Sequence, residues 1–221
     1  MQEKIRLLMT ERETHDAKRF IFSRPEGLRF EPGTAVALAF SPDAPRKQQH
    51  PFTPVSLEGD LVLEFVIKRY ASKDGFTERL HDLQPGGELW ILDQFGSIGW
   101  RGQGVFIAGG TGITPFLSIL RHHRGDGGLG NSRLIFSNKT RDDVLAEREL
   151  RWTLGRQAVF TLTRQPWPGY EFGRVDETFL RRHVQDFTQH FYVCGPDAMV
   201  EEVNKVLQRL GAPSESLVYE G

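Results

Sequence analysis

Four apolar residues in an unbroken run, Val105-Phe106-Ile107-Ala108, lead straight into Gly109-Gly110-Thr111-Gly112-Ile113-Thr114-Pro115, and nothing else in the chain restricts its folding as tightly. A strand without polar alternation is buried on both faces, the condition of a parallel sheet covered by helices. The glycines permit a tight turn and a close approach of backbone to a ligand. Thr114 is a predicted N-cap and Pro115 a predicted first helical residue. A helix starting there offers unpaired N–H groups and partial positive charge to a pyrophosphate. No Gly-Lys-Ser/Thr follows, so this is not a P-loop, and the third glycine of a GxGxxG fingerprint is missing. On spacing alone, a turn that only packs strand against helix is the alternative.

The same strand-to-helix pattern governs everything after residue 103. Leu134–Phe136, Ala158–Leu162 and Phe191–Val193 are further apolar strands, with helices predicted over Pro115–His123, Val144–Trp152 and Glu177–Val184. In the last helix Met199, Val200, Val203, Val206, Leu207 and Leu210 share one face, and Gly211 and Pro213 end it. Alternating strands and helices predict a mostly parallel sheet. Before residue 103 the pattern is different. Lys4–Glu11, Lys18–Ser23, Thr34–Phe40, Leu61–Arg69 and Glu88–Leu92 are β-prone runs separated by Pro and Gly turns, and Thr77 can cap a short helix over Thr77–Leu83. The expectation is an antiparallel β-barrel over 1–102 followed by an α/β domain over 103–221.

Composition narrows the function. A net charge of −1 in 221 residues argues against a nucleic-acid partner, because a phosphate backbone demands a basic excess. No apolar run approaches the roughly 20 residues of a membrane span, and the charged start MQEKIRLLMTERETHD has no leader-like apolar stretch. A cytoplasmic location is expected. Cys194 is the single cysteine, which forbids an internal disulfide, a cysteine-ligated iron–sulfur cluster and a Cys-type zinc site in this chain. His81, His122, His123 and His183 show no metal-ligand spacing, and no metal is expected. The run Arg121-His122-His123-Arg124 reads as a helix end, where cations favour the dipole.

A second strand-to-helix junction lies at His190-Phe191-Tyr192-Val193-Cys194-Gly195-Pro196-Asp197-Ala198-Met199, with Pro196 at the predicted first helical position. Both junctions fall at carboxyl ends of parallel strands, where open α/β sheets bind ligands. By itself Cys194 is equally a small buried apolar residue.

The pairing of these two motifs resembles the ferredoxin–NADP⁺ reductase superfamily, in its flavodoxin/ferredoxin reductase-like branch without an iron–sulfur domain, and the resemblance spans essentially the whole chain. It implies a flavin-binding barrel followed by an NAD(P)-binding domain, and an FAD-dependent NAD(P)H oxidoreductase. The family's flavin motif, Arg-x-Tyr-Ser/Thr, corresponds to His50-Pro51-Phe52-Thr53. Phe52 can stack on a flavin ring as the family's tyrosine does. His50 replaces the arginine that meets flavin phosphates, and an ordinary imidazole is mostly uncharged at neutral pH. By the same resemblance Thr53 hydrogen-bonds near flavin N5, and Gly75-Phe76-Thr77 wraps flavin phosphates at a helix start. Val66 and Lys68 lie on the strand that contacts flavin, although Lys68 can equally be a solvated residue. The family brings hydride from nicotinamide to flavin beside the cysteine of Cys-Gly-x-x, here Cys194. Gly110, Thr111, Gly112, Thr114 and Pro115, with Gly195, Pro196 and Met199, would hold the dinucleotide. Tyr219, with Glu220 beside it, is either an aromatic lid on the flavin or part of a last strand Leu217–Tyr219. Asp93–Ile98 resembles the glycine-containing turn that closes the family's barrel.

FAD is expected in preference to FMN, with NADPH or NADH as substrate. Ser137, Lys139 and Arg141 follow the second strand and suit a 2′-phosphate; Asp142 or Asp143 turned toward a ribose is the alternative. The implied acceptor is a separate carrier protein: flavodoxin, ferredoxin or an oxygenase component. Two other readings stay open, a reductase that uses flavin as a substrate and a non-catalytic module that only binds.

Overall fold

The computed structural model describes residues 2–70 and 75–219, and of Ser97 the backbone alone. The chain divides into two compact units, Met1–Gly99 and Trp100–Gly221. The first contains β1 (Glu3–Arg12), β2 (Ala17–Ser23), β3 (Thr34–Ala39), β4 (His50–Phe52), β5 (Val62–Lys68), α1 (Phe76–His81) and β6 (Glu88–Ser97). The strands form one antiparallel sheet in the order β4-β3-β6-β1-β2-β5. It is barrel-like, but among the described residues β4 and β5 do not pair to close it. Period-two burial builds this unit: Ile5 and Leu7 point inward from β1, while Lys4, Arg6 and Leu8 are exposed. They meet Phe20, Phe22, Leu38, Phe65 and Ile91 in one core, which α1 covers with Phe76 and Leu80.

Two local expectations fail in this unit. Asp93–Ser97 is not a turn but the end of β6, because its backbone pairs with Ala35, Val36 and Ala37 of β3. Thr77 is not the cap of α1. Gly75 takes that position with φ of 59°, and the Thr77 hydroxyl is bound instead to the backbone of Tyr70.

The second unit contains β7 (Gly104–Gly109), α2 (Thr114–Gly125), β8 (Arg133–Asn138), α3 (Glu147–Leu154), β9 (Ala158–Leu162), β10 (Glu171–Phe172), α4 (Glu177–His183), β11 (His190–Cys194), α5 (Asp197–Arg209) and β12 (Leu217–Tyr219). All six strands are parallel, in the order β10-β9-β8-β7-β11-β12. Strand β7 is buried along its whole length. Its Val105 and Ile107 pack with Val193, Phe179 and Leu207 on one face. On the other, Phe106 lies edge-on to Phe116 at 5.1 Å. Helix α3 starts later than expected because Ala146 adopts a left-handed conformation, φ 49°. Among the described residues, no helix is long and apolar enough to cross a membrane.

One buried group makes the first unit sensitive to acid. His81, 6% exposed, donates from Nε2 to the Ile67 carbonyl at 2.9 Å, with Phe20 edge-on at 5.4 Å. Burial lowers its pKa from the ordinary value; the bond to Ile67 opposes the shift, and Lys18 and Arg69 add to it. A depressed folded pKa leaves stability intact above the unfolded value of about 6.5 and removes it as pH falls below, since only the unfolded chain then takes the proton freely. The urea midpoint should hold at pH 7.5 and fall as the pH drops below about 6.5. His81→Gln, which keeps an N–H donor, should flatten that fall. An unchanged pH profile in the variant would assign the loss to other groups.

Candidate functional site

The order of the parallel sheet reverses direction at β7: β8, β9 and β10 extend to one side, β11 and β12 to the other. Such a switch point opens a crevice at the carboxyl ends of the two central strands. Here those ends are Gly109 and Cys194, on strands that pair through Ala108 and Cys194.

The glycines at this edge have different tasks. A Cβ on Gly112 would lie 2.3 Å from the Cys194 carbonyl oxygen. A Cβ on Gly109 would lie 2.5 Å from the Met199 sulfur, and one on Gly195 would lie 3.1 Å from the Gly109 Cα. Gly112 and Gly195 lock the two strand-to-helix junctions together backbone against backbone, while Gly109 leaves room for the Met199 and Pro196 side chains. Gly110 is different: its φ is 54° and nothing lies within 4 Å of where its Cβ would be. Gly110 therefore turns the chain and leaves an open face, as a close-lying ligand requires.

The two helices that start here do so without side-chain caps. Residues Gly110–Ile113 form a 3₁₀ turn, so Ile113 becomes the N-cap of α2 and Thr114 lies inside the helix. The Thr114 hydroxyl donates to the Thr111 carbonyl at 3.0 Å rather than capping, which corrects the expectation. Pro196 is the N-cap of α5, not its first residue. Neither helix has a side-chain cap bond, whereas α4 is capped by Asp176, which accepts from the Phe179 N–H at 2.8 Å. The positive ends of α2 and α5, both starting at this edge, suit an anion.

Farther along, Ser137 is half-buried and Lys139 and Arg141 are exposed. Asp143 is committed locally, accepting from the Thr140 N–H and hydroxyl at 2.9 and 2.7 Å. One oxygen of the Asp143 carboxylate is thereby held in a capping box. Three residues at this edge escape a reading by motif. Arg164 is brought alongside by its N–H bond to the Lys139 carbonyl, 2.9 Å. The Trp167 ring lies 5.2 Å beneath the Arg141 guanidinium. Asn138 is buried, 5% exposed, and among the described residues neither atom of its amide has a partner. An amide closing a strand whose middle is apolar was its only signal. Tyr219 is half-exposed and belongs to β12, which pairs with β11.

In the first unit Phe76 gathers the expected flavin residues. Its ring stacks on His50 at 4.2 Å and on Phe52 at 5.7 Å, and Thr53 beside them is buried. Phe40 joins at 5.1 Å and carries the Arg79 guanidinium 3.8 Å above its ring. Arg79, passed over in the sequence, thus adds a cation to the cluster that contains His50. Val66 points away from the core residues Phe65 and Ile67, on the same face of β5 as Lys68. Lys68 pairs with Asp16 at 2.5 Å, so it is not a solvated strand residue.

Residues 106–205 match the model of the oxidoreductase NAD-binding domain. The chain is 28% identical, over 90% of its length, to the ferredoxin–NAD(P)⁺ reductase component of the naphthalene 1,2-dioxygenase/salicylate 5-hydroxylase systems of Ralstonia sp, covering 62% of that protein. It is 28% identical, over 86% of its length, to NADH-cytochrome b5 reductase 2 of Mycosarcoma maydis, covering 60% of it. The chain thus spans about three fifths of the curated relatives it matches. A ferredoxin NADP⁺ reductase from Neisseria gonorrhoeae, solved with FAD and NADP bound, superposes with a TM-score of 0.85 at 20% identity, covering 99% of this chain and 98% of that one. Residues 106–205 thus match an oxidoreductase NAD-binding domain, and the chain, an antiparallel unit followed by a parallel α/β unit, has the fold of that reductase.

The glycine contacts make a direct prediction. Gly112→Ala should destabilise the second unit by about 3 kcal/mol, because its Cβ meets backbone that cannot move aside. Gly110→Ala should cost only about 1 kcal/mol of left-handed strain. Urea unfolding of the two variants decides; a milder Gly112→Ala would show that the junctions are not locked together.

Proposed function

We propose that this chain is an FAD-dependent NAD(P)H oxidoreductase that passes electrons to a separate carrier protein such as a ferredoxin, a flavodoxin or an oxygenase component. Residues 1–102 hold the flavin and residues 103–221 the dinucleotide. The observation that carries the reading is the pair of locked junctions at the carboxyl ends of β7 and β11, with two uncapped helices and the open face of Gly110. In this reading Gly110, Thr111, Gly112, Thr114 and Pro115 bind pyrophosphate from one side, and Gly195, Pro196 and Met199 shape the other. Cys194 positions the nicotinamide.

The first unit's residues fit a flavin. Phe52 supplies an aromatic face and Thr53 a buried hydroxyl, while Gly75 supplies the left-handed turn before α1. Arg79 supplies a cation beside His50, and Lys68 and Val66 present a half-polar strand face. A flavin held by these residues would supply the chemistry that links two-electron hydride acceptance to one-electron transfer. The chain's own part is orientation and charge placement rather than acid–base chemistry. Release of reduced flavin as a product is the second reading, favoured by His50 standing in the phosphate-binding position.

Purified protein should stay yellow through desalting and release about one FAD per chain on denaturation, read by chromatography. A colourless protein that reduces added flavin would support the second reading, and FMN alone would refute the choice of FAD. NADPH is the preferred coenzyme in this reading, with Lys139, Arg141 and Arg164 around the 2′-phosphate and Trp167 against the adenine. The kcat/KM ratio of NADPH to NADH should favour NADPH. Lys139→Ala with Arg141→Ala should remove most of it, at about 1.5–3 kcal/mol per charge-assisted bond. A wild-type preference for NADH would show that these cations read no phosphate.

A further inference from the structure

The C-terminal end of α2 gathers three metal-ligating side chains that the proposed reaction does not use. His122, His123 and Asp126 each offer a donor atom, and the three atoms lie within 4.8 Å of one another. His123 Nδ1 and Asp126 Oδ2 are 3.0 Å apart. Two donors about 2.1 Å from one ion stand about 3.0–3.4 Å apart at octahedral or tetrahedral angles. That pair therefore already has the spacing of a chelate. His122, exposed one residue before, offers its donor nitrogen within 4.8 Å of both.

Both members of the spaced pair are held in place. Asp126 Oδ1 accepts from the Gly128 N–H at 2.8 Å, which turns Oδ2 toward the histidine and keeps the carboxyl ionised, below its ordinary pKa. The His123 ring is stacked on Trp100 at 4.1 Å, with the planes 25° apart. The cations on this turn are directed elsewhere: Arg121 forms a two-pronged ion pair with Glu149 at 2.6 and 2.8 Å, and Arg124 lies over the Trp152 ring. Orienting partners of this kind accompany ligands in built metal sites.

We propose that His122, His123 and Asp126 form a site for one divalent ion of zinc's class, with two imidazole nitrogens, one carboxylate oxygen and water completing the shell. Imidazole with carboxylate suits zinc, nickel and copper. The ion takes the place of the hydrogen bond between His123 Nδ1 and Asp126 Oδ2, with the neutral imidazole carrying its proton on Nε2. Bound there, it fastens the end of α2 to the 126–128 turn.

Titration of the full-length protein with zinc chloride in a calorimeter should show one ion per chain at micromolar affinity. His122→Ala and Asp126→Asn should each weaken it at least about tenfold. Both variants should melt as wild type does in the presence of EDTA, which excludes misfolding as the cause. Copper(II) should also quench Trp100 emission, and Trp100→Phe should lose that share of the quench. No binding at millimolar zinc, or one ion held equally well by both variants, would overturn the proposal.

Discussion

The contact of Gly112 with the Cys194 carbonyl is the constraint on which the second unit's site depends. Two parallel strands end side by side, and each must pass into a helix within a few residues. A side chain at Gly112 would drive the two turns apart, and one at Gly195 would press on the Gly109 backbone. With the turns together, α2 and α5 start at one edge without side-chain caps, so two positive helix ends are concentrated there. Gly110 contributes by conformation alone, since its left-handed φ carries the chain around without filling the space in front of it.

The first unit solves a different problem. An antiparallel sheet with a core of phenylalanines and aliphatic residues presents, at one end, a stack of aromatic rings centred on Phe76. His50 lies in this stack, and Arg79 reaches the same cluster from α1 by lying over Phe40. Sequence position alone does not show such a cation, because tertiary packing brings it there.

The legible parts of the chain were those fixed by period. The apolar runs at Val105, Leu134, Ala158 and Phe191 became buried parallel strands, and the apolar stripe ending at Leu210 became α5. Boundaries depended on local hydrogen bonding that composition does not reveal. Thr114 was expected to cap, yet a 3₁₀ turn placed it inside the helix. Asp93–Ser97 was expected to turn, yet pairing with β3 made it strand. Gly110 could be named from spacing, and Cys194 only from the resemblance, since alone it reads as a packing residue. Residues gathered by tertiary contact could not be named: Arg164 arrives through a backbone bond to Lys139, Trp167 through Arg141, and Asn138 is exceptional only because its burial leaves the amide unpaired. His122 and His123 gave no spacing signal because their third donor, Asp126, lies just past the end of the helix.

The central claim is that the junction ending at Cys194 holds the nicotinamide of a hydride donor. Anaerobic stopped-flow mixing of the flavin-loaded protein with NADPH tests it most directly, followed by loss of the flavin's visible absorbance. Wild type should bleach rapidly, while Cys194→Ala, with its flavin still bound, should bleach roughly 100-fold more slowly, the cost of misplaced reacting atoms. Equal rates in the two proteins would return Cys194 to the role of a packing residue, and a loaded wild type that NADPH does not bleach would contradict the proposed function itself.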